Sequence, residues 1–114
     1  MKKYFEVKKV NDITVVVLLF SELSIEESEE FKMQFYKLIS DTDNKFIIDI
    51  SKCLFLPSVV LGIIVNFTAK VHQQYGRIVF CRPSEQVRAT FAAAHLTKIF
   101  EIYGTQEEAV KSFK

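Results

Sequence analysis

The stretch that decides the fold runs from Phe46 to Gly62 and reads Phe-Ile-Ile-Asp-Ile-Ser-Lys-Cys-Leu-Phe-Leu-Pro-Ser-Val-Val-Leu-Gly. Its apolar beginning, Phe46–Ile50, predicts a buried strand. A short loop follows and ends at Pro57, which halts the extended segment just before a helix. The apolar residues from Ser58 onward predict a long helix. A buried strand that leads through a loop into a helix is typical of folds that alternate these two elements.

The same alternation continues toward the amino terminus. Two strands are expected at Tyr4–Val10 and Ile13–Leu19, joined by a two-residue link, Asn11-Asp12, that suits a hairpin turn. The second strand is nearly all apolar, which indicates a central strand covered on both faces, or a face used for contact. A capping box that starts at Ser24 predicts a helix from there to about Ser40.

The carboxyl-terminal half repeats the pattern. It predicts a strand at Arg77–Cys81, a helix opened by Arg82-Pro83-Ser84-Glu85, a short strand at Phe100–Tyr103 and a last helix after Thr105. The order β-β-α-β-α-β-α-β-α predicts an α/β fold with a mixed, mostly parallel sheet, an N-terminal hairpin and helices mainly on one face. The side chains expected in the core are Phe31, Phe35, Ile48, Leu61, Ile64, Phe67, Val79, Val87 and Phe91. Residues 1–114 contain no linker and are expected to form a single domain.

Composition and charge exclude several classes of protein. A net charge of +1, with basic residues spread along the chain, gives no concentrated basic face for nucleic acid. No apolar run approaches the roughly 18 residues of a membrane span, and no apolar segment of signal-peptide length follows Met1. The two cysteines, Cys53 and Cys81, fit a reducing compartment in which both remain thiols. We therefore expect a cytoplasmic protein.

Neither a metal site nor a catalytic site is expected. The residues best able to bind zinc lack the close paired spacing of structural zinc sites; they are Cys53, His72, Cys81 and His95. A Cys–His nucleophile pair has no third residue to orient it, and three glycines cannot form a glycine-rich phosphate loop. The glutamates between Glu26 and Glu30 are expected to be solvated rather than catalytic. The sequence thus predicts no cofactor and no enzymatic activity.

The central stretch resembles the signature of the STAS family, the sulphate-transporter and anti-sigma factor antagonist domain. In that signature an apolar strand ends in Asp, and Asp-Ser-Ser-Gly-Leu-Gly opens a helix after a loop. Asp49 matches the acid at the strand end. Ser58, Leu61 and Gly62 match the helix start. Similarity extends over nearly all of the chain, since the family shows the same order of strands and helices.

The resemblance implies a regulatory binding module without chemistry of its own. Its partner would be an anti-sigma factor that is also a serine kinase, and phosphorylation of Ser58 would switch binding off. By the same resemblance, Gly62 would let the helix pack closely. A phosphate on a helix-start serine adds about −1.5 to −2 charges and would meet free helix amides. The alternative role for Ser58 is that of a simple N-cap, which is common for serine.

Three residues depart from the family signature: Pro57, Val59 and Val60 replace its Asp, Ser and Gly. Their presence removes polar and conformational features that a kinase would recognise. The departures favour a second functional class, a non-phosphorylated STAS scaffold module that assembles with itself or in a larger signalling complex. Val59 and Ile63 would provide apolar contacts in either class.

A rim for the partner is expected where strand ends and helix starts converge, at the carboxyl edge of the parallel strands. Ser58 is predicted to be exposed at or near the helix start, with Val59 and Ile63 partly exposed beside it. The residues predicted to bind the partner are Glu22, Ser24, Asp49, Pro57, Ser58, Val59 and Ile63.

Overall fold

The computed structural model describes residues 2–39 and 44–114. The strands are β1 (Phe5–Val10), β2 (Ile13–Leu18), β3 (Lys45–Asp49), β4 (Arg77–Cys81) and β5 (Glu101–Tyr103). The helices are α1 (Ile25–Tyr36), α2 (Ser58–Gln73), α3 (Glu85–Ala93) and α4 (Gln106–Lys111), with a 3₁₀ turn at Leu96–Lys98. The order predicted from the sequence is confirmed, and the 3₁₀ turn adds to it. The first helix ends at Tyr36; its predicted end, Ser40, lies outside the described residues.

The strands form one sheet in the order β1-β2-β3-β4-β5. β1 and β2 pair antiparallel around the turn at Asn11-Asp12. Asn11 has a φ of 58° there, a conformation that asparagine adopts more readily than most residues. The later neighbours pair parallel, so the carboxyl ends of β2 to β5 lie at one edge. The predicted mixed, mostly parallel sheet with an N-terminal hairpin is confirmed.

Helices cover the two faces of the sheet unequally. α1, α2 and α3 pack on one face, where their buried residues form the larger core cluster with those of β2 and β3. α4 packs on the other face against a smaller cluster. Stacked rings join α1 to α2, since the ring centroid of Phe35 lies 4.9 Å from Phe31 and 4.0 Å from Phe67. The prediction that the helices lie mainly on one face is confirmed.

β2 is buried on both faces, which is the first of the two alternatives that its continuous apolar run left open. Val15 and Val16 of β2, which point to opposite faces, are both fully buried. Every residue predicted to lie in the core is buried except Leu61, which is partly buried at the edge of the larger cluster. Leu61 follows the core residue Val60 and is turned by about 100° around the helix axis, which moves it away from the covered side.

Candidate functional site

The loop that connects β3 to α2, residues 51–57, buries two apolar side chains and exposes two others. Cys53 is fully buried and Leu56 is 5% exposed, whereas Leu54 and Phe55 between them are 60% and 41% exposed. The Cys53 amide donates to the Ile50 carbonyl at 3.1 Å and closes the turn after β3. Because neighbouring apolar side chains on a surface mark contact sites, Leu54 and Phe55 are candidates for binding. The sequence prediction missed them, although three consecutive apolar residues in a short loop were a signal.

Ser58 is the first residue of α2 and is exposed to solvent, as predicted. Pro57 holds the N-cap position with an extended backbone, at φ −59° and ψ 153°, and forms no side-chain cap. The alternative that Ser58 is the N-cap is therefore wrong. The Ser58 hydroxyl forms no hydrogen bond with any residue that the structure describes. Val59 beside it is 56% exposed, so this part of the prediction is also confirmed.

The start of α2 differs from the starts of the other helices. Ser24, Ser84 and Thr105 cap α1, α3 and α4, each by accepting a backbone N–H at 3.1 Å. Each of those helices also has glutamate in its first turn. The first turn of α2 has neither a side-chain cap nor an acidic residue. Within residues 2–39 and 44–114, no side chain therefore compensates its free amides or the positive end of its dipole.

The prediction that Ile63 is partly exposed is wrong, since only 6% of Ile63 is exposed. Ile63 lies one turn from Val60 and one turn from Phe67, in the buried row of α2. Its carbonyl accepts a hydrogen bond from Tyr36 Oη, at the end of α1, at 3.3 Å. Ile63 therefore belongs to the contact between two helices and offers little surface to a partner.

Asp49, at the end of β3, is 1% exposed, so this predicted contact residue lies beneath the surface. Its carboxylate accepts hydrogen bonds from the Ser51 amide at 2.9 Å and from Gln106 Nε2 at 3.0 Å. Arg82 Nη1 lies 3.5 Å from the same carboxylate and provides the positive charge that a buried carboxylate needs. Asp49 therefore fixes the turn after β3 and joins it to α4 and to the end of β4.

The two thiols lie on opposite faces of the sheet. Cys53 belongs to the larger core cluster and Cys81 to the smaller one, and both are free and fully buried. Burial, assisted by the negative charge of Asp49, raises the pKa of each thiol to about 12. Both are free thiols rather than a disulfide, as predicted, and the raised pKa keeps them neutral near pH 7.

Side-chain hydroxyls join three loops at the carboxyl edge of the sheet. Ser21 Oγ, after β2, donates to the Lys52 carbonyl at 3.2 Å. Ser84 Oγ, after β4, donates to the Leu54 carbonyl at 3.1 Å. The loops before α1, α2 and α3 therefore lie side by side, as the parallel topology predicted. Exposed residues of this surface include Glu22, Ser24, Leu54, Phe55, Ser58 and Val59, and these six define what we call the docking rim.

Gly62 does not serve the close helix packing that the resemblance implied. It is exposed within α2 and has no positive φ. Apart from its chain neighbours and the adjacent backbone of α2, a Cβ atom added to Gly62 would meet no described atom within 4 Å. Neither the backbone conformation nor the packing of the described residues therefore requires glycine here. Gly62 follows Ser58 by four residues and lies on the same side of the helix, next to the docking rim.

The residues considered for a metal site do not converge. Cys53 and Cys81 are buried, whereas His72 and His95 are exposed. Residues 2–39 and 44–114 contain no group of three or more His, Cys, Asp or Glu side chains that could hold a metal ion. Among the helices described, none is both long enough and apolar enough to cross a membrane.

A family model, that of the STAS domain, matches residues 4–109. The chain belongs to the STAS domain family. The resemblance seen in the central stretch and in the order of elements is thereby confirmed. STAS domains of the anti-sigma factor antagonist type are generally not enzymes.

Solved structures of STAS proteins resemble this domain over nearly its full length. A protein of Thermotoga maritima proposed to be an anti-sigma factor antagonist is 30% identical, with a TM-score of 0.82 over 95% of this chain and 92% of that one. An anti-sigma factor antagonist domain protein of Planctomyces limnophilus is 19% identical, with a TM-score of 0.86 over 95% and 96%. Phosphorylated SpoIIAA of Bacillus is 21% identical, with a TM-score of 0.74 over 96% and 99%. The latter two show a shared fold. A search of curated proteins found no significant match.

Proposed function

We propose that this STAS domain is a cytoplasmic, non-enzymatic regulatory protein of the anti-sigma factor antagonist type, and that its partner binds the docking rim. The partner in this proposal is an anti-sigma factor that also acts as a serine kinase, and phosphorylation of Ser58 releases it. Two similarities support the proposal. The Thermotoga maritima relative is itself proposed to be an antagonist, and the Bacillus protein SpoIIAA has been solved in a phosphorylated form.

The environment of the Ser58 hydroxyl carries the proposal. The hydroxyl is exposed and is not used in a hydrogen bond to the described residues, so a kinase could reach it without breaking internal contacts. It stands at the uncapped start of a 16-residue helix. Val59 beside it and Leu54 in the preceding loop are more than half exposed. A modifiable hydroxyl is thus combined with apolar surface suited to a protein contact.

A phosphate on Ser58 would change the docking rim while leaving the fold intact. It would add about −1.5 to −2 charges at a helix start, where free amides and the dipole stabilise an anion. The same charge would stand next to Val59. A partner surface matched to apolar side chains would then have to desolvate the phosphate, which is costly without a cationic partner. Phosphorylation is therefore expected to weaken binding much more than it alters stability.

A second candidate function, a STAS scaffold module that works without phosphorylation, is favoured by the apolar residues around Ser58. Val59, in place of the signature's serine, is 56% exposed, and Leu54 and Phe55 add further apolar surface to the docking rim. This surface would support binding in any phosphorylation state. Val60, in place of the signature's glycine, is fully buried and could not be contacted by a kinase in the folded domain. In this candidate the domain binds a larger signalling complex or a second copy of itself.

The two candidates can be separated with charge variants. The tagged domain would first capture its partner from a native cell extract, and the purified partner would then be titrated in a calorimeter. Ser58→Asp is expected to weaken binding at least tenfold, equivalent to about 1.4 kcal/mol, whereas Ser58→Ala should bind like the wild type. Thr97→Asp is the matched control, because Thr97 is exposed on the 3₁₀ turn that precedes β5, at the opposite edge of the sheet.

Equal binding by Ser58→Asp and Ser58→Ala would reject the phosphorylation switch and favour the scaffold. Weakened binding by Thr97→Asp to the same extent would show that added charge alone, rather than its place on the docking rim, causes the effect. Incubation of the domain with its captured partner and ATP, followed by mass spectrometry, checks the modification directly. Phosphate on another residue with none on Ser58 would contradict the proposed switch.

A further inference from the structure

The hydroxyl of Ser84 bonds two different structural elements at once. As the N-cap of α3, Ser84 Oγ accepts the Val87 amide at 3.1 Å. The same hydroxyl donates its proton to the Leu54 carbonyl at 3.1 Å, across 30 residues of sequence. One side chain therefore both starts a helix and holds the exposed part of the loop between β3 and α2.

The double role limits which residue can stand at position 84. A helix cap needs an acceptor, and aspartate, asparagine, serine and threonine all provide one. The bond to the Leu54 carbonyl needs a donor, and an ionised aspartate has none. A hydroxyl is both donor and acceptor, so serine or threonine satisfies both contacts through a single oxygen atom.

The bond holds the loop where its side chains are least anchored. Cys53 and Leu56 are fixed by burial, whereas the Leu54 and Phe55 side chains project into solvent between them. Packing therefore does little to hold these two side chains. The hydrogen bond from Ser84 acts on the backbone carbonyl of Leu54 itself and limits the movement of this segment.

The chain reaches Ser84 through a strained residue. Arg82, directly after β4, has a φ of 59°, which is unfavourable for a side-chain-bearing residue and more so before a proline such as Pro83. Two contacts hold this conformation: the Arg82 amide donates to the Tyr103 carbonyl at 3.0 Å, and its guanidinium lies 3.5 Å from buried Asp49. Backbone strain of this kind persists where the surrounding structure fixes it. Here the two contacts of Arg82 fix the turn that leads from β4 to Ser84.

We infer that Ser84 is a positioning residue of the docking rim, which holds Leu54 and Phe55 in the arrangement that the partner binds. The inference rests on the proposed function for the identity of the partner. The rigidity of residues 54–56 that it requires can be measured without any partner. Capping alone does not require a hydroxyl at position 84, since aspartate would cap the helix equally well. The hydroxyl of Ser84 therefore has a second role, in binding.

The test compares Ser84→Asp, which keeps the cap and removes the donor, with Ser84→Thr, which keeps both. Nuclear magnetic resonance relaxation of the labelled domain gives order parameters for the amides of residues 54–56 and of α3. In the wild type and in Ser84→Thr, the loop amides should be rigid, with values near 0.85. In Ser84→Asp they should fall below about 0.6, while the α3 values stay unchanged. Ser84→Gly, which caps almost as well, removes the donor without adding charge and replaces Ser84→Asp if that variant does not fold.

Loop order parameters that stay at the wild-type level in these donor-free variants would overturn the inference, whatever the partner proves to be. Affinity is measured with the purified partner captured by the wild-type domain. A loss of at least fivefold in Ser84→Asp or Ser84→Gly, with wild-type affinity in Ser84→Thr, supports the inference. A mobile loop with unchanged affinity shows that the position of Leu54 and Phe55 does not matter for binding, and also overturns it. If Ser58→Asp binds like the wild type while the donor-free variants do not, the switch fails but the positioning role stands.

Discussion

Replacement of Gly62 by alanine is expected to stabilise the domain. In the interior of a helix, glycine is about 0.8–1 kcal/mol less favourable than alanine. Outside the adjacent backbone of α2 and its chain neighbours, the added Cβ would meet no described atom within 4 Å, so no steric cost offsets this gain. The free energy of unfolding should therefore rise by about 1 kcal/mol, and the melting temperature by roughly 4 °C for a domain of this size.

Gly76, just after α2, provides a matched control with the opposite expectation. A Cβ added there would collide with the Asn44 carbonyl oxygen and lie 2.8 Å from Val71 Cγ1. Because a backbone oxygen cannot move aside easily, Gly76→Ala should lose about 1–3 kcal/mol. Urea titrations followed by circular dichroism, compared at a common slope, would measure both variants.

Loss of stability in Gly62→Ala would refute the reasoning, because it would reveal a close contact inside the chain at this position. Binding gives a second readout. Gly62 lies one turn beyond Ser58, so a partner that covers this side of α2 would meet the new methyl group. A variant that is more stable but binds more weakly would show that glycine is needed for the contact. Unchanged affinity would place Gly62 outside the interface.

Two further predictions concern stability alone. Thr14 is 3% exposed, and its buried hydroxyl has no hydrogen-bond partner in the described parts of the chain. Thr14→Val should therefore stabilise the domain by about 1 kcal/mol. A lower free energy of unfolding in urea titrations would instead indicate an ordered water on that hydroxyl. Arg77 donates two hydrogen bonds to Glu101, at 2.6 and 3.0 Å, and one to the Ser112 carbonyl at 2.6 Å, so Arg77→Met should cost about 1–2 kcal/mol. Arg77 also lowers the pKa of Glu101 in the folded state. The stability from this ion pair is therefore present above the unfolded pKa of glutamate and is lost as pH falls through the folded value. Arg77→Met should lose less stability than the wild type between pH 6 and pH 3, and parallel curves would contradict this.

Local patterns in the sequence were sufficient to predict the order of elements and most of the core. The capping box of α1 is an example, because its two hydrogen bonds join Ser24 and Glu27, which are close in sequence. The Ser24 amide donates to Glu27 Oε1 at 2.9 Å, and the Glu27 amide donates to Ser24 Oγ at 3.1 Å. Such contacts depend only on residues within one helical turn, so they can be predicted without knowledge of the fold.

The candidate site was harder to predict because contacts between distant residues determine it. Ile63 borders an exposed stripe of α2 but is buried, because α1 packs against this side of the helix: Tyr36 bonds to the Ile63 carbonyl, and Phe35 stacks on Phe67. Leu54 is exposed in a loop held by hydroxyls that come from 31 and 30 residues away, Ser21 and Ser84. Which side of a helix is buried, and which path a loop takes, both depend on contacts with residues far away in the sequence. The spacing of residues along the chain does not reveal those contacts.

The high pKa of the two thiols makes the native cysteines unreactive toward alkylating reagents. Alkylating reagents attack the thiolate, and a thiol with a pKa of about 12 forms on the order of one thiolate per hundred thousand molecules at pH 7. Burial of Cys53 and Cys81 also keeps reagents away from the sulfur atoms. A cysteine introduced at exposed Val59 would therefore react alone with a maleimide dye in the otherwise unmodified protein. Partner binding could then be followed by fluorescence from a single label on the docking rim.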